Sequence, residues 1–135
     1  MNEITIHGNC TDEPTLRYSA SGVAILSFSV AVNGRRFDRQ RERWVDTPPV
    51  FHQVVTFNGL AENAAASLTK GTTVTITGEF VDDSYQPEQG RKIWRHKLLA
   101  NDIAISLRFA TAEVTKLRRQ QSAEPADTAV AEPVG

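Results

Sequence analysis

Residues 23–33 put Ala24, Leu26, Phe28, Val30 and Val32 at every second position. An alternation this long describes a β-strand with one face turned to an apolar interior. The same two-residue period returns in 4–10, 50–57 and 72–85, and again over 93–106 as one or two strands. A shorter run, 15–19, follows a turn at Thr11 to Pro14. In 50–57 the period sorts Val50, His52, Val54 and Thr56 to one face, and Phe51, Gln53, Val55 and Phe57 to the other. Only one stretch switches to helical spacing, with Leu60, Ala64 and Leu68 as its stripe. Asn58 is placed to cap that helix and Gly71 to end it. A run of strands broken by a single short helix fits an all-β class, a five-stranded Greek-key barrel of the OB-fold type.

A chain of 135 residues has room for one domain and a tail. The barrel is expected within 1–110 and a subunit-contacting extension within 111–121. From Ser122 the composition shifts to Ala, Glu, Pro, Thr and Val without aromatics, so 122–135 is expected to be disordered. No apolar run approaches the roughly 18 residues of a membrane span, and the first residues do not read as a secretory signal. One cysteine, Cys10, builds no intrachain framework and fits a reducing cytosol.

The chain offers little to a catalyst. Asp82-Asp83 and Asp12-Glu13 are adjacent pairs at turns, and neighbouring strand residues face opposite ways, so neither forms a metal cage. His7, His52 and His96 lie on separate strands without ligand spacing. There is no Gly-rich phosphate loop. We therefore expect no catalytic residues, no metal and no cofactor.

Charge is more informative in its distribution than in its sum. The net charge is −1, yet all 15 Lys and Arg lie at or before Arg119 with 13 of the 16 acids, leaving the body mildly positive. The stretch Gly34 to Pro49 concentrates Arg35, Arg36, Arg39, Arg41 and Arg43 around Phe37 and Trp44, against only Asp38, Glu42 and Asp46. It lacks usable periodicity and reads as a long loop or a mobile hairpin. Cations that follow phosphates, interleaved with rings on which any base can stack, are the means of sequence-blind single-strand binding. The bland alternative is a solvated hairpin. Phe51 and Phe57 share a strand face, and Tyr85 and Trp94 flank a turn at Gln86–Gly90. These rings are either ordinary core or, if Val50 and Val54 fill the barrel from the other face, an outer platform.

Several pieces, taken in order, resemble the bacterial single-stranded DNA-binding protein family. They are Gly8-Asn9 followed by Asp12-x-Pro14-x-x-Arg17-Tyr18, and Phe51-His52-x-Val54-Val55-x-Phe57. Leu60-Ala61-Glu62 and Lys70-Gly71-x-x-Val74-x-Ile76-x-Gly78 complete the set. The resemblance covers about residues 2–108. It implies an OB-fold assembled as a homotetramer, a dimer of dimers over which single-stranded DNA winds, acting in the cytoplasm on the nucleoid. It places stacking rings at Phe37, Phe51, Phe57 and Tyr85; Trp44 in the arginine-rich stretch and Trp94 beside the turn are further rings that the residues themselves offer. Phosphate contacts fall on Arg35, Arg36, Arg39, Lys70 and Arg91. Phe37, Phe51 and Tyr85 stand where the family commonly has Trp, which implies weaker stacking.

The chain departs from the family's pattern at its end, 129–135, which carries no acidic tip. It resembles the shorter copy that some bacteria hold beside a full-length one, a paralogue that would be a further partner. It is therefore expected to coat DNA without recruiting client enzymes through its tail. Cys10, just after the first strand, is either a small buried hydrophobe or one half of an intersubunit disulfide. Residues 106–119 could form a helix or a strand that clasps a neighbouring subunit.

Overall fold

The computed structural model describes residues 2–93 and 95–117. Six strands and one helix follow in the order β1 (Glu3–Cys10), β2 (Thr15–Tyr18), β3 (Ala24–Asp38), β4 (Arg43–Phe57), α1 (Asn58–Ser67), β5 (Thr73–Asp82) and β6 (His96–Ile105). The sheet runs β1-β5-β6-β4-β3-β2, and a further β1–β3 pairing closes it into a ring. β1 and β2 both pair antiparallel with β3, at Cys10↔Val30 and Thr15↔Ser27. They are two halves of one strand broken at the Thr11–Pro14 turn, so six segments make the expected five-stranded OB-fold barrel.

Closure requires backbones to approach where side chains would not fit. At Gly78 a Cβ would collide with the Leu99 carbonyl, beside an irregularity in the β5–β6 ladder. At Gly8 it would collide with Ala31, where β1 crosses from β5 to β3. Only glycine removes the clash.

The interior is filled by Ala24, Leu26, Phe28 and Val30 of β3, Val54 of β4, Val74 and Ile76 of β5, and Leu98 and Ala100 of β6. Burying each larger aliphatic contributes about 1.5–3 kcal/mol. Buried Thr56 satisfies its hydroxyl by donating to the Ala100 carbonyl at 3.1 Å. Helix α1 packs against β2, β3, β4 and β6. Its buried stripe is Ala61 and Ala64, with Leu68 just beyond the last turn, whereas Leu60 stays partly exposed. Asn58 does not cap the helix. It adopts a left-handed φ of 62°, and the cap position falls on Phe57, which makes no side-chain cap bond. Nor does Gly71 end it. The helix stops at Ser67, and Gly71 serves the next turn, its amide donating to the Cys10 carbonyl at 2.8 Å.

For the stretch 34–49 the sequence left a long loop or a hairpin open, and the structure shows the hairpin. β3 and β4 continue past the barrel as a paired hairpin from Gly34↔Thr47 to Asp38↔Arg43, after a register shift between Val32 and Gly34. The shift interrupts the strict alternation, which is why no period is visible there. At its tip the Asp38 carboxylate accepts the amides of Gln40 and Arg41 at 3.0 and 3.3 Å, and Glu42 takes a positive φ. Residues 106–117 form neither helix nor strand. Leu107, Phe109, Val114 and Leu117 stand exposed along them. The tail 122–135 and the end of the proposed 111–121 extension lie outside the described residues.

Candidate nucleic-acid interface

Ladder register decides which way the rings of β4 face. Val54 and Thr56 pair with Phe28 and Leu26 and share their inward face. Phe51, Gln53, Val55 and Phe57 pair with Ala31, Ser29, Ser27 and Ile25 on the outer face. Phe51 is 62% and Phe57 39% exposed, while Val55 between them is closed over. Across from Phe51 the partner is only an alanine, so little on β3 covers its ring. The two rings are six residues apart, roughly 20 Å along the strand. Val50 does not fill the barrel as expected. It pairs with Val32 and is exposed.

Two arms extend this face. On the first, the β3–β4 hairpin, Phe37 and Trp44 are cross-strand partners in edge-to-face contact, with centroids 5.7 Å apart. Arg35 pairs loosely with Asp46 at 3.8 Å and Arg41 with Asp38 at 3.6 Å. Arg36, Arg39 and Arg43 are exposed and make no ion pair among the described residues. Interleaved on an ordered hairpin, these cations and rings form a preset surface.

The second arm joins β5 to β6. It carries exposed Tyr85 and is held by an isolated bridge, Tyr85↔Ile93. Asp83 makes ion pairs with Arg95 at 3.1 Å and Lys97 at 3.2 Å. The Asp82 carboxyl is held below its ordinary value, first by the Ser84 hydroxyl and then by the Ser84 amide, with positive charge from Lys92 and His96. Arg91 is exposed in the intervening turn. An open groove of about 410 Å³ runs between this arm and the outer face, lined by Arg17, Ser27, Gln53, Asp83, Arg95 and Lys97 among others.

The structure thus gathers Phe37, Trp44, Arg35, Arg36 and Arg39 on one arm, Phe51 and Phe57 on the wall, and Tyr85 and Arg91 on the other arm. It does not bring Lys70 to them. Lys70 sits in the turn after α1, lining a different groove with Phe109 and Glu113. Trp94 lies outside the described residues. Sequence reading missed Phe80, half exposed and flanked by His52 at 5.8 Å and His96 at 6.2 Å. The three come from β5, β4 and β6, so only strand pairing unites them. It also missed Arg17, Arg95 and Lys97. Among the described residues no three His, Cys, Asp or Glu side chains converge as a metal site.

Cys10 is 2% exposed within the core cluster. Burial, and then the negative charges of Asp12 and Glu13, push its thiol up to about 11. In this packing the sulfur is enclosed within the core of its own barrel.

A closed barrel with a small plugging helix, an outer face of uncovered rings and flanking cationic arms defines an OB-fold of the kind that grips extended polymer strands. Comparison with known proteins makes the class specific. The chain belongs to the single-strand binding protein family, whose model matches residues 1–106. It is 39% identical over 119 residues to a single-stranded DNA-binding protein of Paenarthrobacter aurescens, covering 88% of this chain and 70% of that protein. The corresponding protein of Mycolicibacterium smegmatis is 40% identical over 116 residues, covering 86% and 70%. The crystal structure of the small single-stranded DNA-binding protein from Streptomyces coelicolor superposes with a TM-score of 0.66. That match has 29% identity and covers 78% of this chain and 94% of the other.

Proposed function

We propose that this chain binds single-stranded DNA without reading its sequence, and protects it without cleaving it. The observation that carries this reading is the pair of ring faces at Phe51 and Phe57, turned outward on the barrel wall and joined to cationic arms. Phe37, Trp44, Phe51, Phe57 and Tyr85 stack successive bases, each contact contributing about 1–3 kcal/mol. Arg35, Arg36, Arg39 and Arg91 neutralise phosphates, and each neutralised phosphate displaces condensed counterions. The working unit is a homotetramer in the cytoplasm. In its support, one copy alone leaves Leu107, Phe109, Val114 and Leu117 in water.

Titration with fluorescent oligo-dT across a series of salt concentrations tests the reading. Tight binding at low ionic strength is expected, with log K falling by about 0.7 per phosphate contacted for each unit of log salt. Absence of binding at low salt would sink it. Competition between oligo-dT and RNA of equal length separates this reading from an RNA-binding module, and labelled single strands incubated with Mg²⁺ or Mn²⁺ should remain intact.

A further inference from the structure

A polyanion-binding surface gains nothing from a carboxylate at its centre, yet Asp83 lines the groove between the outer face and the second arm. Its geometry supplies a reason. One carboxylate oxygen lies 3.1 Å from Arg95 Nε and the other 3.2 Å from Lys97 Nζ. The same Nε also donates to the Asp83 backbone carbonyl at 3.2 Å. Beyond that anchored nitrogen the guanidinium carbon sits over the Tyr85 ring, 4.8 Å from its centroid. The backbone beneath is tied at both ends. The Asp83 amide donates to the Arg95 carbonyl at 3.0 Å, and the Arg95 amide to Ser84 Oγ at 3.0 Å. Arg95 is thereby held at its backbone, at Nε and at its guanidinium.

We propose that Asp83 is a positioning residue for DNA binding: it holds Arg95 on Tyr85, making ring and guanidinium one composite stacking platform at the groove's rim. With one ring face covered by Arg95, a base meets either the exposed part of the half-exposed Tyr85 ring or the outer side of the guanidinium. That group is planar and offers bases a stacking surface as rings do. An isolated exposed ion pair contributes little because ordering a long side chain offsets the attraction. Here one ordering event serves a carboxylate, a carbonyl and a ring together. Phosphates arriving in the groove meet Lys97 and Arg17 beside this platform.

The inference rests on the single-stranded DNA reading above, and its test turns on a sign. Charge alone says that Asp83→Asn, which removes a negative group, tightens oligo-dT binding. Positioning says that it weakens binding, by on the order of three- to tenfold, as expected for one lost cation–ring contact and its ion pair. Arg95→Lys keeps the charge but not the plane, and should lose a similar factor with an unchanged salt slope. The double variant should lose no more than either single one, since the two act through one contact. Should Asp83→Asn melt early, Arg95→Lys carries the test, because Lys97 still satisfies Asp83 there. Tighter binding by a folded Asp83→Asn protein, or wild-type affinity in Arg95→Lys, overturns the proposal while leaving DNA binding intact. A wild-type chain that ignores oligo-dT removes both.

Discussion

The two arms leave the same barrel and are held by opposite means. The first, 34–47, is an extension of the β3–β4 ladder, so backbone pairing fixes its course; Arg35 and Arg41 reach carboxylates only at 3.8 and 3.6 Å, and Arg36, Arg39 and Arg43 make no ion pair among the described residues. The second, 83–95, has one isolated bridge and is braced by side chains, with Asp83 engaging Arg95 and Lys97. An arm built by its backbone can spend its cations on a ligand. Beside the second arm one carboxylate engages Arg95 and Lys97 together at 3.1 and 3.2 Å, which commits both cations more closely than any on the first. The first is therefore suited to follow phosphates, and the second to present a fixed surface to bases.

The largest effect should come from the wall where the first arm begins. Phe51→Ala is expected to lower oligo-dT affinity by about 1–3 kcal/mol, roughly 5- to 150-fold. Its melting temperature should hardly change, because the ring is not part of the core. Equal affinity in equilibrium titrations would show that the exposed wall is not a platform.

Next comes the contrast in charge. Replacing Arg35, Arg36 and Arg39 together by Ala should flatten the plot of log K against log salt by about 2, at about 0.7 per phosphate lost. Lys97→Ala, whose ammonium is engaged by Asp83, should flatten it by less than one full contact. Equal slopes per cation removed from either arm would abolish the distinction drawn between them.

Hydrogen exchange reads the bracing directly. Amides of Tyr85 and Ile93, which pair only with one another across the second arm, should exchange at least about tenfold faster than those of the continuous ladder. Ser84→Ala, which removes the hydroxyl bonded to the Arg95 amide and carbonyl, should widen the gap.

The smallest expected effect is none, at Cys10 in the barrel from which both arms spring. Folded protein handled under oxidising conditions should run as monomer bands on non-reducing gels and resist thiol reagents at pH 8. The unfolded chain releases the thiol proton near its ordinary 9.0, whereas the fold retains it to about 11. This group's contribution to stability is therefore complete below pH 9 and is lost as pH rises through that window.

Much of the barrel was legible because alternation is a local property. Val30 and Val54 are inward by the same period that turns Phe51 and Phe57 outward, although period alone could not say which face was core. Register against Ala31, Ser29 and Ser27 decided that. The choice between loop and hairpin at 34–47 stayed open in the sequence because the register shift breaks the period, and the helix cap was misplaced because Asn58 took a left-handed turn instead.

The residues by themselves determined a β-barrel with one helix, the inward face of β3 and the clustering of arginines with rings, since each follows from spacing along a few neighbouring positions. Only tertiary structure decided which side chains meet across strands. Phe80 between His52 and His96, Asp83 between Arg95 and Lys97, and the removal of Lys70 to another groove depend on chain closure over long separations. Pairing energy is collected there between residues whose sequence neighbourhoods carry no mark of one another.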